Sequence, residues 1–296
     1  MYRILVAGCG YVGTRIGTHF RARNQKVWGI TRTSERRDAL QKIGITPLVA
    51  DLTNPESLSI IPDNIHFLII CPSPDSRDET AYRNVYLDGI GNLIRQVQKN
   101  SRPIFTIHLS STGVYGERGG DWVTEETSPQ PDSERGKILL EAERQVLNSG
   151  LISCVFRLAG IYGPGRNRIA LIREKKFLND SNDKFVNLIH VDDIVKAIPF
   201  LFNSADAGQI YLGVDDEPVK RSEYYEWISE KLGVEYPKII HPKQISGKRC
   251  QNAKLENLGF TFQYPTFREG YTTLISQEAS SPKSLIGDLR FPLSQE

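Results

Sequence analysis

Over the first 160 residues, short apolar runs alternate with longer segments in which apolar positions recur every three or four residues. The runs 4–7, 27–31, 46–50, 66–71, 104–109 and 151–157 read as strands. The fourth, His66-Phe67-Leu68-Ile69-Ile70-Cys71, is apolar almost throughout, as a parallel strand covered on both faces has to be. Helices are predicted over 14–23, over a segment that Ser34 caps and Gly44 ends, over the long amphipathic stretch 79–99, and over 133–148. Six strands joined by helices make an α/β fold, a doubly wound parallel sheet with right-handed crossovers. In such a sheet ligands lie beyond the C-terminal strand ends. After Arg157 the alternation fades into a turn-rich segment 160–166, a helix over 169–178, a strand over 209–214 and an amphipathic helix over 221–232. The expected organisation is a main domain over 1–160, a smaller C-terminal lobe over 161–276 interleaved with it, and a weakly patterned tail over 277–296.

The first strand runs directly into Gly8-Cys9-Gly10-Tyr11-Val12-Gly13 and then into a helix. In that context the glycines have separate duties: Gly8 permits the tight turn, Gly10 lets backbone approach a pyrophosphate, and Gly13 lets helix and strand pack closely. The phosphates then sit on the helix N-terminus, with Tyr11 and Val12 in the same loop. This is the Rossmann-type arrangement, and it makes 8–13 a dinucleotide site; a glycine-rich turn without a ligand is the alternative. The end of the second strand distinguishes the cofactors. An acid there would accept from the ribose 2′-OH of NAD, whereas this chain has Thr31-Arg32-Thr33-Ser34. Arg32 therefore points to NADP, with NAD as the alternative, because a guanidinium can bond a 2′-phosphate. The competing view of Arg32 is a solvated loop arginine. Asp51, after the third strand, is placed to accept from the adenine amine or else to cap a turn before Asn54-Pro55.

Composition removes whole classes of function. With 296 residues, 39% hydrophobic and 24% charged, the chain has enough apolar material for one large α/β domain and a lobe. A formal net charge of +2 with both signs dispersed argues against a nucleic-acid partner, and Arg36 and Arg37 read as a solvated helix face. No apolar run has the length of a membrane span and no secretory signal opens the chain, so a cytoplasmic location is expected. Cys9, Cys71, Cys154 and Cys250 form no paired motif and read as buried reduced thiols. No metal site is expected.

Further motifs follow the fifth and sixth strands: Ser110-Ser111-Thr112-Gly113-Val114-Tyr115-Gly116, then Arg157 with Gly160-Ile161-Tyr162-Gly163-Pro164-Gly165, and Ile189-His190-Val191-Asp192-Asp193-Ile194. Together with the glycine loop, in this order, they resemble the extended short-chain dehydrogenase/reductases, the NAD(P)-dependent epimerase/dehydratase group. The likeness runs to about residue 270, through Gly247-Lys248-Arg249 and Leu258-Gly259-Phe260. It implies a catalytic Ser, Tyr and Lys, the last two spaced Tyr-x-x-x-Lys. The serine falls on Ser111 and the lysine on Lys137, but the tyrosine position falls on Ser133. No tyrosine has a lysine four residues later, so a shifted alignment does not restore the motif. The chain resembles a poorly characterised subgroup with that replacement more than the sugar epimerases proper.

The resemblance implies an NAD(P)-dependent enzyme, monomeric or homodimeric, acting by hydride transfer on a small polar substrate, a nucleotide sugar or other carbonyl compound. The alternative is a non-catalytic NAD(P)-binding sensor. Lys137 is expected to bond the nicotinamide ribose or, failing that, Glu141 on its own helix. Asp121, Glu125, Glu126 and Tyr162 are candidate substitute acids. His190 has no second histidine at ligand spacing; Asp192 or Asp193 is expected to cap the helix that follows.

Overall fold

A computed structural model describes residues 1–76, 78–177, 182–236 and 244–280. Strand β1 (Arg3–Ala7) is buried from Ile4 to Ala7 because it sits mid-sheet with helices over both faces. β2 (Lys26–Thr31), β3 (Thr46–Val49), β4 (Phe67–Ile70), β5 (Phe105–Ser111) and β7 (Ile152–Leu158) join it, β6 being the short Trp122–Val123 elsewhere. The pairings that fix the front of the sheet are parallel, Leu5 standing against Trp28 on one side and Leu68 on the other. With β11 (Ile210–Gly213) the sheet has seven strands in the order β11-β7-β5-β4-β1-β2-β3. The strand expected over 209–214 thus extends the main sheet: Val155 N donates to Gln209 O and Ala159 N to Gly213 O, the stepping of a parallel neighbour.

The chain divides into two compact units. The first comprises residues 1–116, 129–157 and 195–211. Its core joins Leu5, Trp28, Leu68 and Ile70 of the sheet to Leu93, Val97 and Val146 of the helices. Helix α1 (Tyr11–Arg21) has Gly10 as N-cap, and α2 (Ser34–Lys42) is capped by Thr33, whose hydroxyl accepts from Arg36 N, rather than by Ser34. The helix expected over 79–99 is interrupted. It runs as α3 (Glu79–Arg83), a π-turn over Asn84–Gly89, and α4 (Ile90–Val97). Beyond the π-turn, Ile90, Leu93, Ile94 and Val97 recur at i, i+3, i+4 and i+7 and all turn inward. Helix α5 (Glu134–Leu147) starts one residue later than expected because Ser133 is its cap.

The second unit comprises the described residues of 117–128, 158–194 and those from Leu212 onward. Around β8 (Gly160–Tyr162) and α6 (Ile169–Arg173), Tyr162, Ile169, Tyr224, Phe267 and Tyr271 build an aromatic core. α6 stops short of the expected 169–178 because Lys175 takes a left-handed φ of 53°; Leu178 lies outside the described residues. β9 (Asp183–Val186), β10 (Leu188–His190) and α7 (Val191–Ser204) follow. The start of α7 departs from expectation. His190 Nδ1 accepts from Asp192 N at 3.2 Å, whereas Asp193 binds the backbone N–H groups of Gln263 and Tyr264 at 2.6 and 3.0 Å and so pins a distant loop. Of the expected tail, residues 277–280 close the helix Phe267–Ser280 and the rest lie outside the described residues. Among the described residues no helix is long and apolar enough to cross a membrane, and no group of three or more His, Cys, Asp or Glu is disposed to hold a metal.

Candidate functional site

The three glycines after β1 differ in what the protein itself requires of them. Gly8 has φ +113°, and a Cβ there would lie 2.4 Å from the carbonyl oxygen of Cys71. At Gly13 a Cβ would lie 2.1 Å from Gly8 O and 2.9 Å from Cys71 Sγ. Both are glycine because the fold leaves no room. Gly10 has nothing within 4 Å of its would-be Cβ, and its φ of −86° is open to any residue. Packing does not demand glycine at that point, which is the fit expected where a ligand approaches the backbone at a helix N-terminus. Tyr11 is buried under the guanidinium of Arg15, 3.9 Å from its ring centroid, and Val12 is half-buried.

Cys9 and Cys71 flank the same loop as free thiols. Burial pushes Cys9 up to about 12, against a smaller opposing pull from Arg36, and burial raises Cys71 as well. They are packing groups, since the thiolate is the nucleophilic form.

At the C-terminal end of β2 the structure supplies two guanidiniums. Arg32 forms an ion pair with Asp75, in the segment after β4. Arg36 lies on an exposed helix face, as expected, yet its Nη1 also donates to Cys9 O at 3.0 Å, on the glycine loop itself. Asp51 takes its turn-forming role: Oδ1 accepts from Thr53 N at 2.9 Å and from Thr53 Oγ1 at 2.8 Å.

Ser111 ends β5 and its hydroxyl accepts from Gly113 N at 3.0 Å, capping the 3-10 turn Thr112–Tyr115. Ser133 Oγ accepts from Gly136 N at 3.1 Å. The two caps adjoin, because a Cβ on Gly136 would lie 3.3 Å from Gly113 O. Lys137 lies one turn along α5, exposed, and its ammonium pairs with Glu134 rather than Glu141. That hydrogen bond, followed by the ammonium's charge, lowers the Glu134 carboxyl below its usual range. Lys137 N donates to Ser133 O at 3.0 Å as the helix begins, but among the described residues the side chains of Ser111, Ser133 and Lys137 share no hydrogen bond with one another.

Behind this patch lies a buried polar network. Arg157 donates from Nε to Glu143 Oε1 at 3.0 Å, from Nη2 to Oε2 at 2.7 Å, and from Nη1 to Tyr115 Oη at 2.7 Å. Ser110 Oγ donates to Glu143 Oε1 at 2.5 Å. Arg157 and Glu143 are each 1% exposed. Burial alone would lower the Arg157 pKa, but the Glu143 carboxylate reverses this and raises it. Because Ser110 precedes Ser111 and Tyr115 closes its turn, the network grips that turn at both ends.

Residues 4–212 match the NAD dependent epimerase/dehydratase family. The chain belongs to that family. Protein YeeZ of Escherichia coli K12 is 28% identical over 279 residues, which cover 90% of this chain and 97% of YeeZ. A Methylobacillus flagellatus structure described as an NAD-dependent epimerase/dehydratase is 29% identical, with TM-score 0.79 and coverage of 94% and 99%. A dTDP-glucose 4,6-dehydratase from Bacillus anthracis, solved with NAD, shares the fold at 20% identity and TM-score 0.77, over 94% and 97% of the two chains.

Sequence reasoning missed Asp75 and Glu143, and it named Arg36 and Tyr115 without their bonds to Cys9 O and Arg157. Glu143 left one trace, as an acid on the face of its helix that carries Ala142 and Val146. Asp75 left none, since nothing local ties it to Arg32. Two of the reserve acids sit inside the second unit's framework. Glu125 accepts from Leu212 N at 2.8 Å and is raised by burial, and Tyr162 is buried, stacked on Tyr271 and also raised.

Proposed function

We propose that this chain binds NADP(H) in preference to NAD(H) on residues 8–13 and acts as a reductase- or epimerase-like enzyme on a small polar carbonyl or alcohol, in the cytoplasm. The observation that carries the reading is the open face of Gly10 beside two glycines that the fold itself requires. A bound nicotinamide supplies a hydride donor or acceptor at its C4. Arg32 and Arg36 supply the positive charge for a 2′-phosphate. Ser111 already accepts from Gly113 N, which leaves its proton to hold a substrate oxygen. Lys137 reaches a ribose hydroxyl by leaving Glu134, a small loss for an exposed pair. Nucleotide sugars head the substrate panel because of the likeness to a dTDP-glucose dehydratase.

Replacing Arg32 by Asp is expected to weaken NADPH binding about tenfold to hundredfold, the loss of one charge-assisted contact of about 1.5 to 3 kcal/mol. Calorimetric titration measures it, and unchanged NADPH affinity would remove Arg32 from the site.

Ser133 has a phenol's position in the resemblance but not its reach or acidity, and its oxygen is engaged as a helix cap. Turnover of nucleotide sugars is therefore expected to be weak, since a positioned acid/base group contributes about 10²- to 10⁴-fold. Ser133→Tyr is expected to raise the rate while giving up a cap of about 1 kcal/mol, visible as a lower Tm. NADPH absorbance with aldehydes, ketones and nucleotide sugars, in wild type, Ser133→Tyr, Ser111→Ala and Lys137→Ala, tests this. Strong wild-type turnover indifferent to Ser111→Ala and Lys137→Ala would place the chemistry elsewhere. The cap role of Ser133 also favours a second reading, a cofactor-sensing protein, for which the same panel shows tight binding and no turnover in any variant.

A further inference from the structure

In the sheet β1 lies between β4 and β2. Arg32 directly follows β2 and Asp75 lies beyond the end of β4, so their ion pair passes across the end of β1, where the glycine loop begins. The segment that carries Asp75 is moored below it: Cys71 N donates to Ala7 O at 2.9 Å and Tyr86 Oη to Pro72 O at 3.2 Å. Asp75 itself stands out from the surface, its side chain 79% exposed against 40% for Arg32. The pair is thus open to competition from any anion entering the loop.

We infer that Asp75 is a specificity-determining residue of the cofactor site: it competes with the 2′-phosphate of the dinucleotide for Arg32 and so sets how strongly the protein distinguishes NADPH from NADH. This rests on the NADP(H) reading above. A ligand with a 2′-phosphate has to take the guanidinium away from Asp75 and sit near that carboxylate, whereas a ligand with a 2′-hydroxyl leaves the pair intact. Arg36, held to Cys9 O at 3.0 Å, keeps its place in both cases and is the cation left to a phosphate while Arg32 is engaged. The pair between Arg32 and Asp75 is exposed and hence weak, so it is a device that trims affinity and does not close the site.

The test is calorimetric titration of NADPH and NADH, in turn, into wild type, Asp75→Asn, Arg32→Ala and the double variant, with Tm measured for each. Asp75→Asn is expected to tighten NADPH roughly fivefold to tenfold, from a competitor removed and a repulsion relieved, and to leave NADH within about twofold. The gain should shrink in the Arg32→Ala background and at high salt. NADPH affinity unchanged or weakened by Asp75→Asn, or tightened equally for both dinucleotides, would overturn the inference while leaving the cofactor reading in place. Wild type that binds neither dinucleotide contradicts both.

Discussion

Glu143→Ala is expected to lower the unfolding free energy by about 3 to 5 kcal/mol, because it leaves a guanidinium buried without its counter-charge. Arg157 is 1% exposed and spends its donors on Glu143 and Tyr115, so no water replaces the lost carboxylate without reorganising the end of β5. Glu143→Gln retains an acceptor for Ser110 and for Arg157 and is expected to cost less. Replacing both charges by apolar residues, as in Glu143→Leu with Arg157→Met, is expected to restore much of the loss, since a well-packed apolar pair avoids the desolvation of two ions. Urea denaturation reads all three. A Glu143→Ala loss below about 1 kcal/mol would mean the pair is solvated and does not brace the Ser111 turn.

The second large effect separates Gly13 from Gly10. A valine at Gly13 brings Cβ to 2.1 Å from Gly8 O, a backbone atom of the loop that cannot swing aside. The helix has to move off the sheet, and the expected cost is about 3 kcal/mol or more, at the upper end for overpacking. Gly10→Val meets open space and loses only a better N-cap, about 1 kcal/mol. Thermal unfolding of the two variants is expected to show a much larger fall in Tm for Gly13→Val. Equal falls would show that the fold, and not a ligand, requires glycine at position 10.

What the chain displays of this architecture depends on how local each feature is. Strand alternation and the glycine loop are written in consecutive residues, and the buried run from Phe67 to Ile70 carries its own parallel-sheet pattern. The π-turn over Asn84–Gly89 was hidden because no proline interrupts the stretch and the apolar residues after it, Ile90, Leu93, Ile94 and Val97, keep an ordinary helical spacing. The last strand of the sheet, Ile210–Gly213, looked like part of the lobe because nothing in its sequence names β7 as its neighbour. The cap of α5 is a serine that the sequence pattern counts as the helix's first residue, because Ser133 marks the boundary only through its bond to Gly136 N. Long-range charges were the least legible. Arg157 of β7 and Glu143 of α5 are separated by 14 residues and meet only where helix and strand pack, while Arg32 and Asp75, 43 residues apart, meet because the sheet order sets the ends of β2 and β4 on either side of β1.

The central claim, that Gly10 is kept bare for a dinucleotide, is tested most directly by calorimetric titration of NADPH into wild type and into Gly10→Val, both shown to be folded. The expected result is saturable one-to-one binding in wild type and none in the variant, whose side chain would occupy the pyrophosphate's place against the helix N-terminus. Normal NADPH binding by folded Gly10→Val would contradict the claim, and the site would have to be sought away from residues 8–13.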